Sequence, residues 1–226
     1  MKNLNRLPGD AEPTAAETAK VDQPVVQEGP SANSAGSRTP RPGRMTKIGS
    51  NAGQRMLIRT ASKSDAEAIT EVQIAAIREA YFDLWPADEL DRIAAYDCNT
   101  ADAWREHLGS WTTLVAEVDG DIAGFVGLEA CEDEETPETV GTIVAICVRP
   151  DKWGLGIGQA LMREAMARAR DRGWVEVYLW VLLENRRAVD FFERLGFRMD
   201  GVVHIPKMYG NPATRVRLRR LLEESE

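Results

Sequence analysis

The segment Val148–Leu161, VRPDKWGLGIGQAL, places three glycines, Gly154, Gly156 and Gly158, at alternate positions. It follows the apolar run TIVAICV at residues 142–148, which predicts a strand, and it leads into a sequence with helical periodicity. Three glycines let the backbone turn until several N–H groups point at one place, and the positive end of the helix dipole adds attraction for an anion. The segment therefore predicts a phosphate-binding loop, with an ordinary strand-to-helix turn as the alternative.

Two common glycine-loop motifs do not fit this segment. The P-loop of nucleotide triphosphatases requires Lys and then Ser or Thr after its last glycine, whereas Gly158 is followed by Gln159 and Ala160. The dinucleotide-binding fingerprint requires its third glycine three places after the second, and that position is also Gln159. A phosphate-containing ligand bound here is therefore expected to differ from the nucleotides that these two motifs bind.

A second segment further along the chain narrows the choice. Residues 175–182, VEVYLWVL, predict a strand, because they are apolar, β-branched and aromatic. Residues 184–197, ENRRAVDFFERLGF, predict a helix that ends at Gly196. Its apolar positions recur at helical spacing at Ala188, Phe191, Phe192 and Leu195.

On these two segments the sequence resembles the GNAT superfamily of acyl-CoA-dependent N-acyltransferases. The acyl-CoA loop of that family follows Gln/Arg-x-x-Gly-x-Gly/Ala, and its later segment follows Asn-x-x-Ala-x-x-Phe-Tyr-x-x-x-Gly-Phe. The resemblance covers about residues 56–222. It implies an α/β (α+β) fold, with a mixed, mainly antiparallel sheet of six to seven strands flanked by about four helices.

The remaining periodicity agrees with that order of elements. Residues 55–61 predict a first strand, and the helix that follows is expected to run towards Trp85, with the next residue, proline, as its stop. Residues 112–130 predict a hairpin around an Asp-Gly-Asp turn. A closing pair of strands is expected at residues 201–204 and 213–218.

Composition divides the 226 residues into two parts. Residues 1–54 contain six prolines and no aromatic residue, so they predict a disordered Pro/Ala/Ser-rich tail, and residues 55–226 predict one acetyltransferase-like domain. No long apolar run follows the first two residues, which predicts neither a secretory signal nor a membrane anchor. Three cysteines without a CxxC pair favour a reducing, cytoplasmic location and no metal site.

Charge limits the partners that the chain is expected to bind. The net charge is −8, and residues 55–226 carry 21 Lys and Arg against 31 Asp and Glu. This balance argues against nucleic acid as the main partner, because phosphate backbones require a basic surface. We expect a small-molecule or peptide amine as acceptor, no nucleic acid, no membrane, and a monomer or homodimer.

The resemblance implies acetyl-CoA as co-substrate and assigns the residues that would bind it. Backbone groups of the strand before the loop would pair with the pantetheine arm, and the Val148 N–H would face the thioester carbonyl. The Asn185 amide would hydrogen-bond the CoA arm, although capping its own helix is the alternative. The full set of implied acetyl-CoA contacts is Ile146, Cys147, Val148, Trp153, Gly154, Leu155, Gly156, Ile157, Gly158, Gln159, Asn185 and Phe192.

The sequence departs from the family pattern at two of these positions. Trp153 stands where the family has Gln or Arg, so a side-chain contact to phosphate is lost while the backbone contacts remain. Phe192 stands where the family commonly has a tyrosine that protonates the departing CoA sulfur. A phenyl ring has no proton to donate, so a water molecule or Tyr178 would have to substitute.

The general base is not fixed by any motif. Glu129, at the end of the predicted strand before the loop strand, is the leading candidate, with a solvated strand-end carboxylate as the alternative. His204 is a weaker candidate, and His107 is expected to be structural. Cys147 lies beside the expected thioester, but direct transfer in a ternary complex is favoured over a cysteine intermediate.

Two questions on function stay open at this stage. Without the usual acid and base, a non-catalytic acyl-CoA-binding sensor or regulatory module is the alternative to an N-acetyltransferase. The acceptor is not identified by sequence, although five aromatic side chains in or near the first helical region are candidates for an acceptor pocket, with a place in the core as the alternative. They are Tyr81, Phe82, Trp85, Trp104 and Trp111.

Overall fold

A computed structural model describes residues 44–47, 55–95, 99–108, 112–131, 136–205, 207–208 and 211–222. These residues form five α-helices. The helices are α1 (Ala66–Ala80), α2 (Ala87–Ala94), α3 (Ala101–His107), α4 (Ile157–Asp171) and α5 (Arg186–Arg194). The strands are β1 (Arg44–Lys47), β2 (Arg55–Thr60), β3 (Thr112–Val118), β4 (Asp121–Ala130), β5 (Val140–Val148), β6 (Glu176–Leu182), β7 (Arg198–His204), β8 (Lys207–Met208), β9 (Asn211–Pro212) and β10 (Arg215–Leu221).

Seven of the described strands form one mixed sheet in the order β2-β3-β4-β5-β6-β10-β7, and β1 adds an eighth at the edge beside β2. All neighbours are antiparallel except β5 and β6, which run parallel. The predicted mixed, mainly antiparallel fold is confirmed. The strand β1 lies within residues 1–54, and the rest of that predicted tail lies outside the described residues.

Helices cover both faces of the sheet. On one face, α4 buries a row that includes Leu161, Ala165 and Ala169 against the main core. On the other face, α1 and α3 pack over Val115 and Phe125. Adjacent strand residues point to opposite faces, so each central strand contributes to both layers.

The β5 strand leaves its neighbour β6 halfway along its length. The two strands pair only from Val140 to Ile143 on the β5 side. The next residue, Val144, is an extra residue in the register of β5 with β4, because Ile143 faces Leu128 and Ala145 faces Gly127. A bulge of this kind bends a strand and increases its twist. The sheet therefore opens between the ends of β5 and β6.

The first helix is shorter than the sequence predicts. It ends at Ala80, and the backbone N–H groups of Leu84 and Trp85 both donate to the Tyr81 carbonyl in a turn that precedes Pro86. Phe82 is 71% exposed, so burial of its side chain does not stabilise a further helical turn. The Asp119-Gly120 hairpin and the closing pair β7 and β10 form as predicted.

Candidate active site

A cavity of about 640 Å³ occupies the opening between β5 and β6. The C-terminal end of α1, the N-terminal end of α4 and one face of α5 close its sides. Its described polar and charged lining side chains include Gln73, Tyr81, Asn99, Cys147, Lys152, Asn185, Arg187, Arg194 and Arg215. The cavity is large enough for the reacting end of a large ligand and one small acceptor.

The exposed backbone of β5 faces this opening. The Arg149 N–H donates to the Ala123 carbonyl at 2.8 Å, so Arg149 is oriented towards β4. Backbone groups of successive residues in a strand point to opposite sides, and Val148 is therefore oriented towards the opening. By the same alternation, Ile146 also presents its backbone groups to the gap. These are the groups that an extended amide-containing ligand would pair with.

The glycine loop has the backbone geometry that its sequence predicts. Gly154 and Gly156 both have φ of +80°, a left-handed conformation that residues with a Cβ rarely adopt. A Cβ on Gly158 would come within 3.3 Å of the Phe191 ring, so a side chain there would force that ring to shift by a few tenths of an ångström. Helix α4 has no side-chain cap at its start, which leaves its first-turn N–H groups available to an anion.

Trp153 and Arg187 form a stacked pair beside the loop. The Trp153 indole N–H donates to the Val148 carbonyl at 2.7 Å, which fixes the ring at the end of β5. The Arg187 guanidinium lies over that ring, 3.6 Å from its centroid, in a cation–π contact. The family's Gln or Arg is absent, yet a guanidinium is present next to the loop. No sequence signal pointed to Arg187, because the contact joins residues from two separate motifs.

Asn185 caps helix α5. Its side-chain oxygen accepts from the Ala188 N–H at 3.1 Å, and its side chain lies near the Tyr81 hydroxyl, whose pKa it lowers. The N-cap alternative is therefore observed, and the side chain lines the cavity as well. Binding of the CoA arm by Asn185 stays a prediction.

Phe192 and Cys147 both line the cavity. The Phe192 ring is 6% exposed and packs edge-on against Phe191 and Phe197, with centroids 5.2 and 5.9 Å away. Burial raises the pKa of the Cys147 thiol to about 12. A thiol that holds its proton so strongly is a poor nucleophile at neutral pH.

Neither predicted base candidate, Glu129 or His204, is among the described residues that line the cavity. Glu129 pairs with Thr142, five residues before Cys147 on β5, which is about 16 Å along a strand. His204 lies exposed on β7 with its ring 6.1 Å from Trp180. His107 is half-buried at the end of α3, where burial lowers its pKa. Among the described residues that line the cavity, none is Asp, Glu or His.

The predicted aromatic acceptor pocket forms only in part. Tyr81 lines the cavity and packs against Trp85 with centroids 4.8 Å apart. Trp104 is fully buried, donates to Gln73 at 2.7 Å and meets Phe125 edge-on, so it belongs to the core. Phe82 is exposed, and Trp111 lies outside the described residues.

Tyr178, the suggested substitute acid, is absent from the described cavity lining. Its hydroxyl lies 3.2 Å from the Cys131 sulfur and forms a hydrogen bond in which either group can be the donor. Within the described ranges, no group of three or more His, Cys, Asp or Glu side chains is arranged to hold a metal ion. No described helix combines the length and apolar character needed to cross a membrane.

Residues 74–197 match the Acetyltransferase (GNAT) family. A mycothiol acetyltransferase of Cellulomonas flavigena is 37% identical over 117 residues, which are 49% of this chain and 34% of that protein. An uncharacterized N-acetyltransferase of Methanocaldococcus jannaschii is 43% identical over 92 residues, 40% of each chain. The match thus spans about a third to two fifths of the length of these relatives.

Solved structures share the fold at lower sequence identity. The PaiA N-acetyltransferase of Thermoplasma acidophilum, in complex with coenzyme A, superposes with a TM-score of 0.62 at 17% identity and covers 74% of this chain and 98% of its own. A Salmonella typhimurium structure with its cofactor acetyl-CoA gives a TM-score of 0.56 at 21% identity and covers 76% of this chain and 96% of its own. The family match spans more than half of the sequence, and the fold and the site geometry agree with it: this chain belongs to the acetyltransferase (GNAT) family.

Proposed function

We propose that this protein transfers an acetyl group from acetyl-CoA to a primary amine of a small molecule or peptide, by direct attack in a ternary complex. The observation that carries the proposal is the opening between β5 and β6, which ends in the glycine loop. One ligand can lie along this opening with its amide-containing arm on β5 and its phosphates at the start of α4. An acetyl thioester of CoA has that arrangement of groups.

The residues that would bind the co-substrate divide by chemistry. Backbone groups of Ile146 and Val148 would pair with the pantetheine amides, and the Val148 N–H would stabilise charge that develops on the thioester oxygen. The first-turn amides of α4 would hold the pyrophosphate. Arg187, fixed over the Trp153 ring, would supply the positive charge that the family's Gln/Arg position lacks here.

Direct attack is favoured because the one thiol among the described cavity residues is protonated at neutral pH. Cys147 has a pKa of about 12 because it is buried, so it remains protonated when the amine attacks. The acceptor amine must itself lose a proton, since primary amines have pKa values near 10. With no Asp, Glu or His in the described lining, we propose that this proton leaves through water. The position of Glu129 does not support a role as base.

Initial-rate kinetics of the full chain test the direct mechanism. Intersecting double-reciprocal lines for acetyl-CoA and amine are expected, and intact-mass measurement after incubation with acetyl-CoA alone should show no acetyl adduct. Parallel lines together with an adduct on Cys147 would overturn direct transfer. Binding of CoA without turnover of any amine would instead support the sensor function.

A further inference from the structure

Phe192 occupies the family's proton-donor position and carries no hydroxyl. The cavity contains a phenolic hydroxyl from a different residue. Tyr81 is the one tyrosine among the described residues that line the cavity. It is the C-cap residue that follows α1, and its N–H donates to the Ile77 carbonyl at 3.1 Å. Its position is thus set by the end of a helix, which is a rigid support.

Contacts from three elements hold the Tyr81 ring in place. The ring packs against Trp85, and it lies on the small apolar cluster of Leu182 and Ala213. Its hydroxyl lies near the Asn185 side chain at the start of α5 and near the Cys147 thiol. The hydroxyl is therefore at the point where the open ends of β5 and β6 approach α5.

The Asn185 contact leaves the Tyr81 proton available. The Asn185 oxygen accepts from the Ala188 N–H, and Asn185 lowers the pKa of Tyr81, which is the effect of an amide NH₂ group placed to donate to the phenol oxygen. In that arrangement the Tyr81 oxygen would accept from Asn185, and its own O–H would remain available to a bound ligand.

The cavity also makes the pKa values of a phenol and a thiol similar. Burial is the main cause that raises the pKa of Tyr81 to about 12. Burial raises the pKa of the Cys147 thiol to about 12 as well. A thiolate formed in this environment is consequently much more basic than the ordinary value near 8.5 for a free cysteine, and a neutral tyrosine is a competent donor to it.

We infer that Tyr81 protonates the departing CoA sulfur, in the role that the family motif gives to the residue replaced here by Phe192. The inference rests on the proposed acetyl transfer. As the carbon–sulfur bond breaks, its electron pair leaves with sulfur, and the Tyr81 O–H proton moves to that sulfur. The acceptor ammonium releases one proton to water before attack, and its nitrogen releases a second proton to water as the amide forms. The Tyr81 phenolate takes one proton back from water, so one proton is released for each acetyl group transferred and the charges balance.

The test compares the full-length wild type with Tyr81→Phe, and uses Tyr178→Phe as the matched control. Tyr178 is half-buried and hydrogen-bonded but absent from the described cavity lining. With a productive amine, Tyr81→Phe is expected to lower kcat at least about tenfold with little change in the KM for acetyl-CoA. Addition of Phe192→Tyr to that variant is expected to recover part of kcat, which a purely structural defect would not allow.

A binding measurement gives a second readout that needs no acceptor. By calorimetry, wild type is expected to bind CoA about threefold to tenfold more tightly than desulfo-CoA, and Tyr81→Phe should abolish that preference. If wild type acetylates no amine but shows this preference, the proposed function fails and the Tyr81 contact to sulfur stands. If Tyr81→Phe keeps both the preference and kcat, the inference is overturned.

Discussion

The Arg187 guanidinium stacks on the Trp153 indole, 3.6 Å from the ring centroid, and so places a positive charge beside the glycine loop. Trp153 is itself fixed by its bond to the Val148 carbonyl. The pair joins the loop motif to the helix motif, 34 positions apart in the chain. We propose that this stacked arginine supplies the phosphate contact that the loop itself lacks.

Loss of this charge should weaken acetyl-CoA binding. Arg187→Ala is expected to raise the KM for acetyl-CoA about tenfold to a hundredfold, because a charge-assisted contact to phosphate is worth roughly 1.5–3 kcal/mol when well formed. The neighbouring Arg186 is exposed and absent from the described lining, so Arg186→Ala is the matched control and should leave KM unchanged. Equal effects of the two substitutions would show that only net charge matters.

The left-handed glycines provide a test of the loop backbone. Gly156→Ala should destabilise the fold by about 1–2 kcal/mol, since φ of +80° is strained for alanine, and should also lower CoA affinity. Gly120→Ala is the control, because Gly120 has φ of +101° in the distant β3–β4 turn. Chemical denaturation and calorimetry should find destabilisation in both variants but reduced CoA affinity only in Gly156→Ala. Unchanged CoA affinity in Gly156→Ala would refute the loop's role.

Phe192→Tyr restores the family's residue inside a packed aromatic cluster. The expected result is a kcat equal to or above that of wild type, because the cavity already tolerates an aromatic ring at this site and a second hydroxyl adds a donor. Steady-state kinetics with saturating acetyl-CoA measure the effect. A tenfold fall would mean that the Phe192 ring has another role, such as excluding water from the reacting sulfur.

Acid stability should depend on Asp65, which joins β2 to the start of α1. Its carboxylate receives two bonds from Arg59, at 2.7 and 2.9 Å, and one from the Ser62 N–H at 2.7 Å. The Arg59 bonds are the main cause that lowers the pKa of Asp65 to about 2. A carboxyl with a depressed pKa stabilises the fold above its unfolded value near 3.9, and that contribution is lost as the pH falls towards 2.

Asp65→Asn should therefore reduce the free energy of unfolding by about 1–2 kcal/mol at pH 7, and by progressively less between pH 4 and pH 2. Urea denaturation across this range measures the difference. A deficit that stays constant down to pH 2 would assign the effect to lost packing instead of the ion pair.

Turns and helix ends could be predicted from the residues themselves because these motifs are local, whereas the mixed sheet was implied by the family resemblance. The alternating glycines, the helix stop at Gly196 and the Asp-Gly turn each specify backbone geometry within a few residues, and all three form as predicted. The opening beside Val148 followed from the family resemblance. Such features depend on short-range sterics, which a chain carries in its own sequence.

The side-chain chemistry of the site was less predictable, because it depends on contacts between distant segments. Glu129 looked suitable as a base at the end of its strand, but the register with β5 puts it at the paired end, away from the opening. Tyr81 was one of several aromatics in a helical region, and only the end of α1 at Ala80 brings its hydroxyl to Asn185. No periodicity encodes either relationship.

Thiol release from acetyl-CoA by the full-length protein, measured against a panel of amines, amino acids, polyamines and peptides, tests the central claim most directly. The account predicts release that depends on one class of amine, with an equal amount of N-acetylated product. Tight binding of CoA with no release above the amine-free rate for any acceptor would contradict it.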